Sequence, residues 1–227
     1  MSKEYLENLK KRDDYNEKNQ TYLKERVFKT FKNLIYTFFR KNINDFDELL
    51  DLGSADGSFI KVAQKNGLKS EGLDIDKINF ENEKFKFENN KFDLITAISV
   101  IEHLANPNNF LTEVKRVLKK DGFFILVTPN WKFDMKDFYD DPTHVKPYTT
   151  KSINFLLGSF KFRNIKIVPW LVCKPSWMWK IPFSFELARI IPFRGSRNKL
   201  IPDFLKGKSK SIVNFSKMEI VYGININ

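Results

Sequence analysis

The stretch Asp51-Leu52-Gly53-Ser54-Ala55-Asp56-Gly57 decides the fold that the sequence predicts. It follows the apolar pair Leu49-Leu50 and leads into residues 58–63, which are typical of a helix. The pattern predicts a buried strand, a glycine turn and a helix whose first N–H groups have no partner within the helix. Glycine at positions 53 and 57 lets the backbone approach a ligand closely because no Cβ intervenes. The spacing differs from G-x-G-x-x-G, so a dinucleotide pyrophosphate is not the expected ligand.

A carboxylate stands at the end of the next apolar run. Asp74 lies within Glu71-Gly72-Leu73-Asp74-Ile75, downstream of the glycine turn. A carboxylate at the end of a strand can accept hydrogen bonds from both hydroxyls of a ribose. The turn and this carboxylate together predict a nucleoside ligand.

Three further segments follow in a fixed order. Residues 92–104 indicate a buried strand running into a loop, residues 108–118 an amphipathic helix, and residues 120–130 a turn and another buried strand. With Glu102-His103-Leu104 and the Val-Leu-Lys-x-x-Gly pattern at 117–122, the chain resembles the class I S-adenosylmethionine-dependent methyltransferases of the small-molecule type. The resemblance covers roughly residues 48–157. It implies methyl transfer, S-adenosyl-L-methionine as cofactor and an α/β, Rossmann-like sheet of seven strands.

The resemblance also implies a set of cofactor-binding residues. Asp51, Gly53, Ser54 and Gly57 would line the methionine end of the cofactor, Asp74 and Ile75 its ribose, and Ser99 and Val100 its far side. His103 matches the family's Glu-His-Leu position, where it either faces the cofactor or caps the next turn. For the adenine, the polar candidates are Asn79, Glu81 and Asn82, and nothing in the sequence ranks them.

The connection between residues 76 and 93 is short for a full helix plus a strand. We therefore expect the helix in this connection to be reduced to a turn.

Residues 129–150 form a long connection at the carboxyl edge of the predicted sheet, where ligands of open α/β folds bind. His144 is the candidate general base for a hydroxyl acceptor because Asp140 or Asp141 could orient its ring. Asp141 and Tyr148 are the secondary catalytic candidates. The alternative is that His144 is a local hydrogen-bonding residue. Thr150 is expected to cap a short helix over 151–157.

The domain organisation is predicted from composition and periodicity. Residues 1–47 form an N-terminal helical arm, in which an amphipathic helix over 24–40 packs on the sheet's edge or caps the ligand cleft. Residues 48–227 form the methyltransferase domain. Within it, residues 169–217 are an aromatic and basic insertion before the last strand, which is predicted over 218–224. This insertion is a substrate lid, an oligomer interface or a contact with a membrane surface.

Cysteine and charge restrict the remaining possibilities. The single Cys173 excludes an intrachain disulfide and a cysteine-clustered zinc site, and the sequence predicts no metal ligands. Without an apolar N-terminal segment, a cytoplasmic setting is expected, with possible peripheral contact at the inner membrane face. The net charge is +11, and the stretch from Arg189 to Lys217 contains eight basic residues but a single acid, Asp203. A basic surface of this kind attracts polyanions and anionic lipid.

The predicted function is methyl transfer to a small or lipid-linked acceptor, as an O-methylation of a sugar or another hydroxylated metabolite. The first alternative is an RNA methyltransferase, since basic and aromatic side chains can bind phosphates and stack on bases. The second is a non-catalytic module that holds a polyanion on the same fold. Oligomeric state is not predicted.

Overall fold

The computed structural model describes residues 17–135, 138–170 and 218–224. The helices in these ranges are α1 (Glu17–Phe39), α2 (Ser58–Lys65), α3 (Asn108–Val117), α4 (Trp131–Asp134) and α5 (Thr150–Ser159). The strands are β1 (Glu48–Leu52), β2 (Lys69–Leu73), β3 (Phe92–Ile98), β4 (Leu118–Pro129), β5 (Arg163–Trp170) and β6 (Met218–Ile224). Single 3₁₀ turns lie at Ile43–Asp45, Ile101–His103 and Phe138–Asp140. The part of the insertion at 171–217 lies outside the described residues.

The strands form one sheet in the order β2-β1-β3-β4-β6-β5. The pairs β1–β2, β1–β3 and β3–β4 are parallel, whereas β6 runs antiparallel to both β4 and β5. The α/β, Rossmann-like fold is confirmed. The prediction of seven strands is wrong for the described residues, which contribute six, because the connection between β2 and β3 contains turns but neither a helix nor a strand.

The two faces of the sheet bury different layers, because successive side chains of a strand point to opposite sides. One face packs against α1 and α2 through sheet residues Leu49, Leu94, Phe123, Ile125 and Val127. The other face packs against α3 and α5 through Leu50, Leu52, Ile95, Ala97, Phe124 and Leu126. The apolar runs in the sequence therefore correspond to strands covered on both sides.

Helix α1 packs across a face of the sheet rather than on its edge, which corrects one of the two predicted placements. The rings of Phe28 and Phe31 lie 6.1 and 5.8 Å from the ring of Phe59 on α2. The helix begins at Glu17, earlier than the predicted residue 24. Two smaller corrections concern α5, which extends to Ser159 and whose cap is Thr149 rather than Thr150. The Thr149 hydroxyl accepts a hydrogen bond from the Ser152 N–H.

Side chains of α3 hold the irregular connection between β2 and β3 in place. Arg116 donates to the carbonyl oxygens of Phe85 and Phe87, at 2.9 and 2.8 Å, and forms an ion pair with Glu113 at 2.6 Å. Glu113 in turn accepts a hydrogen bond from the Phe85 N–H at 2.7 Å. Backbone groups that would otherwise pair in a strand thus find side-chain partners, as buried polar groups require.

Among the described residues, no helix combines the length and the apolar character needed to cross a bilayer.

Replacing Arg116 by Met should destabilise the protein by about 2–4 kcal/mol in urea unfolding, because Glu113 and two carbonyl oxygens would lose their partner in a poorly solvated site. The matched control is Lys65→Met, whose ion pair with Glu25 is solvent-exposed, with side chains 75% and 44% accessible. This variant should change the free energy of unfolding by less than about 1 kcal/mol. Equal effects of the two substitutions would contradict the role given to Arg116.

Candidate active site

Three adjacent parallel strands, β1, β2 and β3, bring their carboxyl ends to one edge of the sheet. The glycine loop follows β1, Asp74 follows β2, and Ser99 and Val100 follow β3. The sequence-predicted cofactor residues therefore meet at this edge. It is the position at which open α/β sheets bind their ligands.

The glycine loop folds tightly against the end of β2. The N–H groups of Gly53 and Ser54 both donate to the Leu73 carbonyl, at 2.8 and 3.3 Å, and the Gly57 N–H donates to the Ser54 carbonyl at 2.8 Å. Gly53 and Gly57 have φ values of +78° and +72°. These lie in the left-handed region, in which a side chain costs about 1–2 kcal/mol.

At two positions of this edge, neighbouring atoms leave no room for a Cβ, so only glycine fits. A Cβ on Gly53 would lie 2.4 Å from Cγ2 of Val100, the residue expected at the far side of the cofactor. A Cβ on Gly72 would lie 2.8 Å from the Cβ of Ser54 and 2.4 Å from Ile60 Cδ1. The sequence analysis did not single out Gly72. A lone glycine inside a strand is the signal that could have found it, since it often marks a close approach of another segment.

Asp74 connects β2 to the glycine loop. One carboxylate oxygen accepts a hydrogen bond from the Ala55 N–H, and the other accepts one from the Ile75 N–H at 2.6 Å. The residue is 7% exposed. Each carboxylate oxygen can accept two hydrogen bonds, so both retain capacity for a ribose hydroxyl.

Asp51 is a buried carboxyl at the end of β1. Its Oδ1 accepts a hydrogen bond from the Thr96 hydroxyl at 2.7 Å. Burial raises the pKa of Asp51 to about 6, although the Thr96 hydrogen bond and the positive charge of Lys24 act in the opposite direction. A cationic ligand placed against this carboxyl would favour its ionised form. Thr96 was missed by the sequence analysis because a threonine within a buried strand is common without a functional role.

Two of the three polar residues proposed for the adenine, Asn79 and Glu81, have hydrogen-bond partners within the chain. Glu81 accepts hydrogen bonds from the N–H groups of Ala105 and Asn106, at 2.6 and 3.4 Å. The Asn79 side chain accepts one from the Glu81 N–H at 2.9 Å. Glu81 thus ties the irregular connection to the loop after Ile101–His103, and an adenine contact of these residues stays a prediction.

A second group of polar residues lies beyond the cofactor edge, around Glu102. Glu102 is fully buried, and its Oε2 accepts a hydrogen bond from the Thr128 hydroxyl at 3.0 Å. Its Oε1 has no hydrogen-bond partner in the described part of the chain. Burial raises the pKa of Glu102 to about 7, while Thr128 and Ser99 favour the ionised form. The sequence analysis quoted Glu102 only as part of a motif, although an acid within an apolar run was a signal.

The two histidines of the chain lie side by side. The ring centroids of His103 and His144 are 4.8 Å apart. Backbone hydrogen bonds hold the loop that carries His144 against the segment after β3. The N–H groups of Val145 and Lys146 donate to the Glu102 carbonyl at 2.9 and 3.0 Å. Sequence distance concealed this contact, because some forty residues separate the histidines.

The partners of the two rings differ from those expected. His144 Nδ1 lies 2.7 Å from the Phe138 carbonyl oxygen rather than beside the carboxylate of Asp141. Asp141 instead accepts hydrogen bonds from the Thr143 N–H and hydroxyl, and Thr143 contacts His103 Nδ1 through its carbonyl and hydroxyl oxygens at 3.0 and 2.9 Å. Asp141 is thus placed to orient His103 through Thr143. Burial lowers the pKa of His103.

Tyr148 lies near Glu102 of this group. Its hydroxyl is buried without a hydrogen-bond partner in the described residues. Burial and the nearby negative charge of Glu102 raise the pKa of Tyr148 well above its usual value. The phenol therefore stays protonated at neutral pH, which suits a hydrogen-bond donor rather than a base.

The fold and this edge define a nucleoside-binding α/β protein with an acid–histidine cluster beside the ligand position. A family model described as a methyltransferase domain matches residues 18–167, and the chain belongs to this family. Membership of this family supports S-adenosylmethionine as the cofactor. The family favours an enzyme over the non-catalytic alternative.

A curated relative and two solved structures are similar to the chain. The ubiquinone biosynthesis O-methyltransferase of Pelagibacter ubique is 28% identical over 127 residues, which cover 48% of this chain and 51% of the relative. The chain thus matches about half the length of that protein.

The structure of a SAM-dependent methyltransferase from Archaeoglobus fulgidus has a TM-score of 0.59 at 19% identity, covering 88% of this chain and 94% of that one. Phosphoethanolamine N-methyltransferase 2 of Haemonchus contortus, solved with S-adenosyl-L-methionine, has a TM-score of 0.56 at 13% identity, covering 98% of this chain and 60% of that one. At these identities, the two structures support the fold.

Gly53→Ala should raise the dissociation constant for S-adenosylmethionine at least tenfold, because the new Cβ overlaps Val100 at the cofactor edge. Gly67→Ala is the matched control, since Gly67 also has a positive φ of +91° but a Cβ there meets nothing within 4 Å. Both variants place a side chain at a positive φ, so a loss of affinity in Gly53→Ala alone reports on the site. Calorimetric titration measures both, and equal dissociation constants would contradict the assignment.

Proposed function

We propose that this methyltransferase transfers the methyl group to an oxygen of a small hydroxylated acceptor, such as a sugar or another hydroxylated metabolite. The observation that carries the proposal is the cluster of Glu102, His103 and His144 beside the cofactor edge. An alcohol or phenol needs to lose a proton during methylation, and this cluster offers acceptors for it. The similarity to an enzyme named as an O-methyltransferase supports the same chemistry.

The cofactor supplies a methyl group activated by its sulfonium; the S–CH₃ bond breaks as the O–CH₃ bond forms. The protein is required to bind both partners, to hold the oxygen in line and to accept its proton. The positive charge of the cofactor would favour the ionised form of the buried Asp51 carboxyl, and this negative charge would in turn stabilise the bound cofactor. Asp74 and the glycine loop would hold the nucleoside.

His144 has the geometry of a proton acceptor. A carbonyl oxygen only accepts hydrogen bonds, so the contact with Phe138 places the proton of the neutral ring on Nδ1. Nε2 then carries a lone pair and can take the proton of a hydroxyl. The Phe138 ring lies 4.5 Å from the His144 ring, centroid to centroid, and restricts the orientation of the imidazole.

The aromatic and basic residues that suggest a lipid-linked acceptor, membrane contact or RNA lie at 171–217, outside the described residues. A lipid-linked acceptor and a cytoplasmic location at a membrane face therefore stay predictions. The described cluster supports a hydroxylated acceptor, because it offers groups that can take the proton.

His144→Ala should lower turnover on a hydroxylated acceptor by roughly two to four orders of magnitude, which is the range for loss of a general base. The affinity for S-adenosylmethionine should change by less than about threefold, because His144 belongs to the acceptor side. Val145→Ala is the control, since this neighbouring side chain is 50% exposed and should leave turnover within about twofold.

Transfer of a labelled methyl group to a panel of sugars, catechols and amines, with the product identified by mass spectrometry, measures these effects. Methylation confined to nitrogen or carbon, or unchanged turnover in His144→Ala, would contradict the proposed function.

A further inference from the structure

The cluster beside the cofactor edge has the composition of a metal site. One potential ligand atom from each of Glu102, His103 and His144 lies within 4.8 Å of the other two. These are the two histidines of the whole chain, brought together with a buried carboxylate. Two imidazoles and one carboxylate form a ligand set that divalent transition metals favour.

The buried carboxylate is incompletely satisfied. Thr128 holds Oε2, whereas Oε1 has no hydrogen-bond partner among the described residues. A buried polar oxygen without a partner is costly, and native structures usually provide one. A cation bound between Oε1 and the two rings would supply that partner.

Both imidazoles are oriented in the manner of metal ligands. His103 Nδ1 lies 3.0 Å from the Thr143 carbonyl oxygen, and His144 Nδ1 lies 2.7 Å from the Phe138 carbonyl oxygen. Each Nδ1 therefore carries a proton, and each Nε2 carries the lone pair. Histidine ligands commonly donate their other ring N–H to a backbone carbonyl, which fixes the tautomer and the ring orientation.

We propose that Glu102, His103 and His144 bind one divalent transition-metal ion. Ligand atoms at about 2.1 Å from such an ion lie roughly 3–4 Å apart, so side-chain adjustments would bring a cluster that lies within 4.8 Å into this range. Three protein ligands leave coordination positions open, and open positions are typical of catalytic rather than structural metal sites.

The role of the ion rests on the proposed function. An acceptor hydroxyl bound at an open position would lose its proton to solvent more readily, because a metal ion lowers the pKa of a bound oxygen. His144 would then act as a ligand, since one lone pair on Nε2 cannot bind an ion and accept a proton at once. A loss of turnover in His144→Ala is expected in either case, so metal binding has to be measured directly.

The test uses the full chain without a histidine tag, treated with a chelator and then titrated with Zn²⁺ and Co²⁺. We expect one ion per chain and visible absorption of bound Co²⁺. Glu102→Gln and His144→Gln should each weaken Zn²⁺ binding at least tenfold, whereas Asp140→Asn, an exposed carboxylate of the same loop, should bind within twofold of the original protein. Cys173→Ser should retain Zn²⁺ binding, which excludes the only thiol as the ligand.

A second measurement does not depend on the folding of any variant. Since the chain has two histidines, NMR of the imidazole resonances reports on the site directly. One equivalent of Zn²⁺ should shift the resonances of both rings. Unperturbed rings, or variants that bind Zn²⁺ as tightly as the original protein, would overturn the proposal.

Failure of this inference and failure of the proposed function are distinguishable. O-methylation that persists in excess chelator, with no Zn²⁺ binding, would overturn the metal site and leave the O-methyltransferase proposal in place. Stoichiometric Zn²⁺ binding with methylation confined to amines would support the metal site and contradict the O-methyltransferase.

Discussion

The rest of the structure depends on the hydrogen bonds that hold the glycine loop against the end of β2. The Leu73 carbonyl accepts hydrogen bonds from Gly53 and Ser54, and Asp74 accepts one from Ala55. These contacts exist because β1 and β2 pair in parallel, so their carboxyl ends lie side by side. The loop cannot shift without losing them. The same parallel arrangement continues to β3 and places Val100 against Gly53, which closes the edge from the other side.

A second set of backbone hydrogen bonds holds the loop around His144. The Glu102 carbonyl accepts hydrogen bonds from Val145 and Lys146, so the loop that carries His144 is held against the segment after β3. The backbone of Glu102 thereby positions the loop, while its buried side chain contributes to the cluster. Glu102 thus links the end of β3 with the loop that carries His144. This contact brings the loop that carries His144 to the end of β3, although the two segments are distant in sequence.

The sequence predicted the strands, α3 and the cofactor loop because periodicity and glycine spacing are local signals. In the connection between β2 and β3, the sequence predicted the loss of the helix but not the loss of a strand, because hydrogen bonds from Arg116 and to Glu113 replace strand pairing there and no local pattern specifies them. The hydrogen-bond partner of the His144 ring was also predicted wrongly. Asp141 is close to His144 in sequence, but the turn directs its carboxylate to Thr143. The convergence of Glu102, His103 and His144 required a loop conformation that no local pattern specifies.

The edge formed by the glycine loop and Asp74 is expected to bind S-adenosylmethionine. Calorimetric titration of the original protein, Asp74→Ala and Asp76→Ala tests it most directly, because Asp76 is an exposed carboxylate two residues away. We predict one binding site, an affinity weakened by about 1–3 kcal/mol in Asp74→Ala, as expected for a charged hydrogen bond, and no change beyond about twofold in Asp76→Ala. No binding to the original protein, or equal affinity in Asp74→Ala, would contradict the account.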